Sequence, residues 1–163
     1  MKKFLFAVLA SSIAVPAYAA PGDTSTAQGT ATAQIVAPIT LTHVSGAALS
    51  FGTLTAGTGG TATVSVGSVR TVGGDVSGIT GVAPAADAFT VTGDASRSFS
   101  ITTAGGTVTN GGNSMAFTTT AAATGALSAS GTASFRVGGT LTVGNNQAPG
   151  SYTGTYNATV SYN

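Results

Sequence analysis

The stretch from residue 151 to residue 163, SYTGTYNATVSYN, shows the clearest structural pattern in the chain. Its odd positions from 153 to 161 hold only threonine, asparagine and serine. Its even positions are apolar or aromatic apart from one glycine: Tyr152, Gly154, Tyr156, Ala158, Val160 and Tyr162. Successive side chains of a β-strand point to opposite faces. We therefore predict a terminal strand with one apolar face, in which Gly154 leaves room for a facing ring or backbone.

A second alternating run lies near the start of the chain, over residues 34–43. Its apolar set is Ile35, Ala37, Ile39 and Leu41. Pro38 interrupts the polar face, and proline has no N–H to donate to a neighbouring strand. We expect this strand to lie at a sheet edge or to carry a bulge.

Further short alternating runs follow along the rest of the chain. They lie at 61–66, 89–91, 99–101 and 115–117. The region 134–143 holds two more apolar pairs separated by glycines at 138 and 139. If these two pairs form a hairpin, a three-residue loop at 138–140 would place Val137 opposite Leu141 on one face.

The composition agrees with this pattern, since the chain has 24 glycines and no segment with a convincing helical period. Many short strands separated by glycine turns are typical of an all-β protein. We predict an immunoglobulin-like β-sandwich of short antiparallel strands over residues 31–163. Residues 20–30 contain no large apolar side chain, so we expect a flexible segment there.

The first nineteen residues have the pattern of a signal peptide. Lys2 and Lys3 precede an apolar run, and Ala17-Tyr18-Ala19 has the small-x-small form of a cleavage site. The run is shorter than the roughly 20 residues that span a bilayer. We expect export to the periplasm, then to the cell surface or the extracellular space, without membrane insertion; a retained anchor helix is the competing interpretation.

Few side chains of the chain are charged. Five are lysine or arginine and four are aspartate or glutamate. Without Lys2 and Lys3 the balance is 3 − 4 = −1. A basic footprint for nucleic acid is therefore missing. Charge also gives little protection against association, so we expect self-association.

The residues that enzymes use are scarce in this chain. It has no cysteine and one histidine, His43, too few for a transition-metal site with nitrogen and sulfur ligands. The acidic residues Asp75, Asp87 and Asp94 stand beside glycine or alanine, where we expect turns and local hydrogen bonds. We predict no catalytic residues, no metal and no cofactor, and hence no enzyme.

The ordered series of strand motifs resembles a family of secreted domains of unknown function from Gram-negative bacteria. That family is similar to fimbrial subunits of the chaperone–usher route, of the spore-coat-U-like and common-pilus types. The resemblance covers nearly all of residues 34–163 and is carried by segments 39–42, 49–54, 59–64, 89–93, 135–143, 150–156 and 160–162.

The resemblance implies an incomplete sandwich whose C-terminal strand is held first by a periplasmic chaperone and passed on at an usher. The N-terminal strand of a neighbouring subunit would then replace the chaperone by β-strand addition. The apolar set at 27–35 is small except for Ile35. Either residues 35–41 are donated, or residues 31–43 complete their own sandwich.

Two functions follow from these observations. The first is a fimbrial, pilus-like or surface-assembly subunit that acts in cell adhesion or structure without catalysis. The second is a self-complete extracellular β-sandwich that serves as a coat, matrix or carbohydrate-adhesion module.

Overall fold

The computed structural model describes residue 22 and residues 26–163. The chain divides into two units, residues 1–34 and residues 35–163. In the first unit, residues 22 and 26–34 are exposed and form no helix or strand. The predicted signal peptide lies outside the described residues. All the strands described below belong to the second unit.

Twelve strands are formed within the described residues, and none of these residues is helical. It follows that no described helix could cross a membrane. The strands are β1 (Thr40–His43), β2 (Leu54–Thr55), β3 (Gly60–Val64), β4 (Arg70–Gly74), β5 (Ser77–Gly78), β6 (Asp87–Thr92), β7 (Ser98–Thr103), β8 (Gly106–Asn110), β9 (Asn113–Thr120), β10 (Thr124–Ala126), β11 (Thr132–Val143) and β12 (Ala158–Tyr162).

The strands pair antiparallel in two main sheets. Seven form one sheet in the order β1-β6-β11-β3-β4, with β9 against the other side of β11 and β8 against β9. Three form the second sheet, β10-β7-β12, and β2 pairs with β5 in a short ribbon. The all-β prediction is confirmed; the immunoglobulin-like arrangement stays a prediction.

Strand β11 corrects the hairpin considered for 134–143. It runs without a turn through Gly138 and Gly139, pairing with β6 before them and with β3 and β9 from them onward. A Cβ atom at Gly138 would collide with the carbonyl oxygen of Val64, and one at Gly139 with that of Thr118. These glycines therefore allow two neighbouring backbones to approach β11 closely.

Buried apolar side chains form two groups on this framework. One group, which we call the second core, lies between the two sheets and comprises Phe89, Val91, Phe99, Ile101, Leu127, Phe135 and Val137. The first core comprises Phe51, Ala62, Val64, Val76, Met115, Phe117, Leu141 and Val143. Most of the first core comes from β3, β9 and the end of β11, all in the seven-stranded sheet. Among the described residues, the three-stranded sheet contributes no side chain to it.

The alternation read from the sequence is seen in both sheets. Phe89 and Val91 of β6 are buried, as are Phe99 and Ile101 of β7, while Thr90 between the first pair is exposed. The run at 34–43 forms a shorter strand than predicted, because β1 begins at Thr40. That strand lies at a sheet edge, as expected for a segment that follows a proline.

Candidate functional site

The terminal segment, residues 151–163, alternates as its sequence predicts, but it is not one continuous strand: only Ala158–Tyr162 forms β12, and Thr153 forms an isolated bridge. Its odd positions are exposed, and its even positions are half-buried apart from the exposed Gly154. Tyr152 packs against the first core, and Ala158, Val160 and Tyr162 pack against the second. Tyr156 contacts both cores, so it stands where they meet.

One edge of the terminal segment is paired along most of its length. Strand β12 pairs with β7, Ala104 N–H donates to the carbonyl oxygen of Asn157, and Thr153 exchanges two hydrogen bonds with Thr109. Between these two contacts the terminal segment advances by four residues (157 − 153), while the facing segment advances by five (109 − 104). The facing segment therefore holds one extra residue, as in a β-bulge. A Cβ at Gly154 would collide with the carbonyl oxygen of Thr107, so the notch expected at this glycine receives a backbone.

The other edge of the segment is open. Main-chain groups of successive residues in a strand point to alternate edges. Thr153, Asn157 and Asn163 bond toward β7 and β8, whereas residues 154–156, which lie between two of these contacts, belong to no strand. Within the described residues, no hydrogen bond is formed by the main chain of residues 154–156. Such an edge is a template for another strand.

A groove runs along this open edge. Its volume is about 1150 Å³, and its two walls are residues 47–56 and residues 147–156. The first wall is itself paired on its far side, where Ser50 exchanges hydrogen bonds with Ala85. First-core side chains form the floor, among them Met115, Phe117 and Leu141. Pockets for small ligands usually measure about 300–1,000 Å³, so this groove has room for a peptide.

The floor of the groove is buried, while its upper lining is partly exposed. Floor residues such as Met115 and Phe117 are no more than 9% exposed. The half-buried lining includes the apolar side chains that pack against the first core, namely Leu49, Leu54, Ala56, Val108, Tyr152 and Tyr156. An added strand would cover these side chains first.

One end of the groove is polar. Asp87 is 4% exposed, and each of its carboxylate oxygens has a partner. Oδ2 accepts a hydrogen bond of 2.7 Å from the Tyr156 hydroxyl. Oδ1 lies 2.7 Å from Nε2 of His43 and 2.8 Å from the N–H of Ala88. The Tyr156–Asp87 bond thus ties the terminal segment to β6 across the groove.

At the polar end of the groove, the Tyr156 hydroxyl acts as a hydrogen-bond donor. Burial, followed by the hydrogen bond and the charge of Asp87, raises the pKa of Tyr156 well above its usual value. The hydroxyl stays protonated and serves as a donor. No described serine or threonine hydroxyl is hydrogen-bonded to His43. No group of three potential metal ligands occurs among the described residues.

The prediction for Asp87 was wrong. We expected a turn with local hydrogen bonds, whereas the residue is buried at the start of β6 and bonds to partners 44 and 69 positions away. The pattern that could have revealed it was present, since Asp87, Phe89 and Val91 share one inward-facing set. A carboxylate in register with two core residues needs buried partners.

The residues of the possible donor strand are placed in two different ways. Ile35 is 96% exposed. Ile39 and Leu41 pack against the second core, and Leu41 lies opposite Val91 in the β1–β6 pair. The carbonyl oxygen of Ala37 accepts a 2.9 Å hydrogen bond from the Tyr162 hydroxyl. The structure thus brings this segment to the end of the terminal segment.

A comparison with protein-family models gives one match, to a domain of unknown function, DUF4402, over residues 39–162. No curated protein and no solved structure gave a significant match.

Proposed function

Because the chain belongs to the DUF4402 family, whose description assigns no activity, we propose a function from the geometry of the groove. The protein is a non-enzymatic structural subunit of an extracellular assembly. It is exported, and it joins the assembly by accepting a β-strand from another chain along the open edge of residues 151–157. A fimbrial or pilus-like assembly that contributes to cell adhesion is the form we favour.

The half-covered first core carries this proposal. The second core has a sheet on each side, whereas the first core has one sheet and two separate segments with the groove between them. The main chain of each wall segment pairs with a neighbouring segment along one edge, at Ser50–Ala85 and at Thr153–Thr109. One additional strand would bond to the terminal segment and cover the half-exposed apolar lining. Its main chain would provide affinity and its alternate side chains the register.

An open groove of this kind also explains the partners that we propose. The unpaired edge and the apolar lining would attract strands of unrelated proteins before assembly. A periplasmic chaperone that occupies the groove during export would prevent this, and an usher at the outer membrane would exchange it for the next subunit. These two partners come from the resemblance to fimbrial subunits.

A self-complete coat or matrix module is the second candidate, and one observation favours it. Residues Thr40–His43 already pair with β6 in the same chain, and Ile39 and Leu41 already pack on the second core. The N-terminal strand therefore completes part of its own sandwich. In this case the groove stays empty or narrows in solution.

Chaperone dependence tests the proposed function. We expect the exported chain to be poorly soluble alone, to be rescued by a co-expressed chaperone, and to form ladders that survive SDS without heating when it is expressed in its native host. Ala48→Trp places a large ring on the rim of the groove and should abolish the ladders. Ala95→Trp is the matched control, since Ala95 is exposed in a turn that does not line the groove. A stable, chaperone-independent monomer without ladders would contradict the proposal.

A further inference from the structure

We propose that the groove accepts a strand from a different protein, one with large, uncharged apolar side chains at alternate positions. The exposed N-terminal segment of a second copy does not fill it. This inference rests on the proposed function and names the partner of the same site.

The shape of the groove defines the length of the occupant. A strand lying along residues 151–157 would match seven residues, and at about 3.3 Å per residue it would be about 23 Å long. Three or four of its side chains would face the floor, because alternate side chains point the same way. These few side chains must fill most of the groove.

The exposed segment 26–35 of this chain fits in neither register. One face presents Ala27, Gly29, Ala31 and Ala33, with Ile35 as its single large side chain. Methyl groups and a hydrogen would leave voids above a floor of phenylalanine, methionine and leucine, and voids in an apolar contact are destabilising. The other face presents only threonine and glutamine, whose polar groups would lose water without gaining partners.

The larger apolar side chains that follow are already in use. Ile39 and Leu41 pack on the second core, and their strand pairs with β6 from Thr40 to His43. Donating them would require breaking that pairing and exposing the core beneath it. Only Ile35 is available without such a cost, and one side chain cannot fill the groove.

The charge of the lining restricts the occupant further. Four ionisable side chains line the groove among the described residues: His43, Asp87, Tyr152 and Tyr156. The Asp87 carboxylate is buried and bonded on both oxygens. A charged side chain pointing inward would therefore meet apolar groups and no free counter-charge. The open main-chain edge of residues 154–156, in contrast, matches the backbone of any extended strand.

A pair of matched peptides tests this inference against the exported chain, residues 20–163, which is kept dilute enough to stay soluble without a chaperone. The first peptide has the sequence of residues 24–37. The second carries Ala27→Val, Gly29→Ile, Ala31→Val and Ala33→Leu in the same background. Both bear a fluorescent label, and binding is measured by anisotropy. We expect the second peptide to bind more tightly by on the order of 100-fold or more, and Ala48→Trp but not Ala95→Trp to abolish its binding.

The other outcomes separate this inference from the proposed function. If the native peptide binds as tightly as the bulky one, the inference is wrong while strand addition stands. If the bulky peptide binds equally well to the Ala48→Trp variant, it binds outside the groove and the inference is wrong. If neither peptide binds, the groove takes no strand and the proposed function fails as well. Deleting residues 20–34 gives a second readout in the native host, where the other protein is present. The ladders should persist there, and their loss would show that a second copy supplies the strand.

Discussion

Removing the hydroxyl of Tyr156 tests the tie between the terminal segment and β6. In Tyr156→Phe the ring keeps its edge contacts with Phe89 and Phe117, at centroid distances of 6.3 and 6.2 Å. Oδ2 of the buried Asp87 loses its donor. A hydrogen bond to a charged group contributes about 1.5–3 kcal/mol. We expect the free energy of unfolding to fall by about 2 kcal/mol.

Urea denaturation at neutral pH measures this loss, and a second tyrosine provides the control. Tyr152 donates to the carbonyl oxygen of Ala148 and accepts from the amide of Gln147. These partners are neutral, so Tyr152→Phe should cost about 1 kcal/mol. Asp87→Asn and the double variant with Tyr156→Phe complete a cycle whose coupling energy should reach about 1–2 kcal/mol. A loss below about 0.5 kcal/mol for Tyr156→Phe, or no coupling with Asp87, would refute the assigned role.

Three further predictions follow from the structure. Gly138→Ala should lower the free energy of unfolding by about 1–3 kcal/mol, because its Cβ meets the backbone of Val64. The control, Gly112→Ala, whose Cβ would meet no atom within 4 Å, should lower it less; equal losses in urea melts would contradict the close approach. The free energy of unfolding should fall as pH rises above about 10, because Tyr156 ionises there in the unfolded chain but not in the folded one. Urea melts between pH 8 and 11 should show a smaller fall of this free energy for Tyr156→Phe; equal falls for the two chains would count against the buried hydroxyl. The folded chain prepared without residues 1–19 should resist trypsin for hours on a gel while the urea-unfolded chain is cut. It has no lysine, and each of its three arginines is hydrogen-bonded within the fold, namely Arg70, Arg97 and Arg136; rapid cleavage of the folded chain would show that these bonds open readily.

Side-chain alternation was predictable because it is a local property of a strand. Phe99 and Ile101 point to the same face wherever β7 lies in the sheet, and the same holds for Phe89 and Val91. The absence of helical periods likewise needs no knowledge of neighbours. These features give the fold class and most of the core.

The course of β11 could not be read in this way. Two adjacent glycines suit a turn, and they equally suit a place where two other backbones approach closely. The backbones concerned are those of Val64 and Thr118, which stand 74 (138 − 64) and 21 (139 − 118) positions earlier in the sequence. Only the pairing of distant strands decides between a turn and a straight strand.

Asp87 was misplaced for a related reason. An aspartate beside alanine satisfies its oxygens locally in a turn, or through distant donors in a core. Besides the adjacent N–H of Ala88, the donors here are a tyrosine and a histidine that lie far from Asp87 in the sequence, Tyr156 and His43. Neither has any local relation to Asp87 in the sequence.

The groove shows most clearly what side-chain alternation leaves open. Alternation describes the two faces of a strand, whereas strand addition uses its edges, and the two directions are perpendicular. The terminal segment would therefore show the same even and odd pattern whether its second edge bonded to a strand of this chain, to a strand of another protein, or to none. What distinguishes these cases is the number of strands available to cover each core. The second core lies between two sheets, while the first core is covered by one sheet and by two wall segments, residues 47–56 and 147–156, whose main chains each pair along one edge. Whether a core lacks a strand is thus a property of the whole arrangement of strands, and no single segment of the sequence carries it.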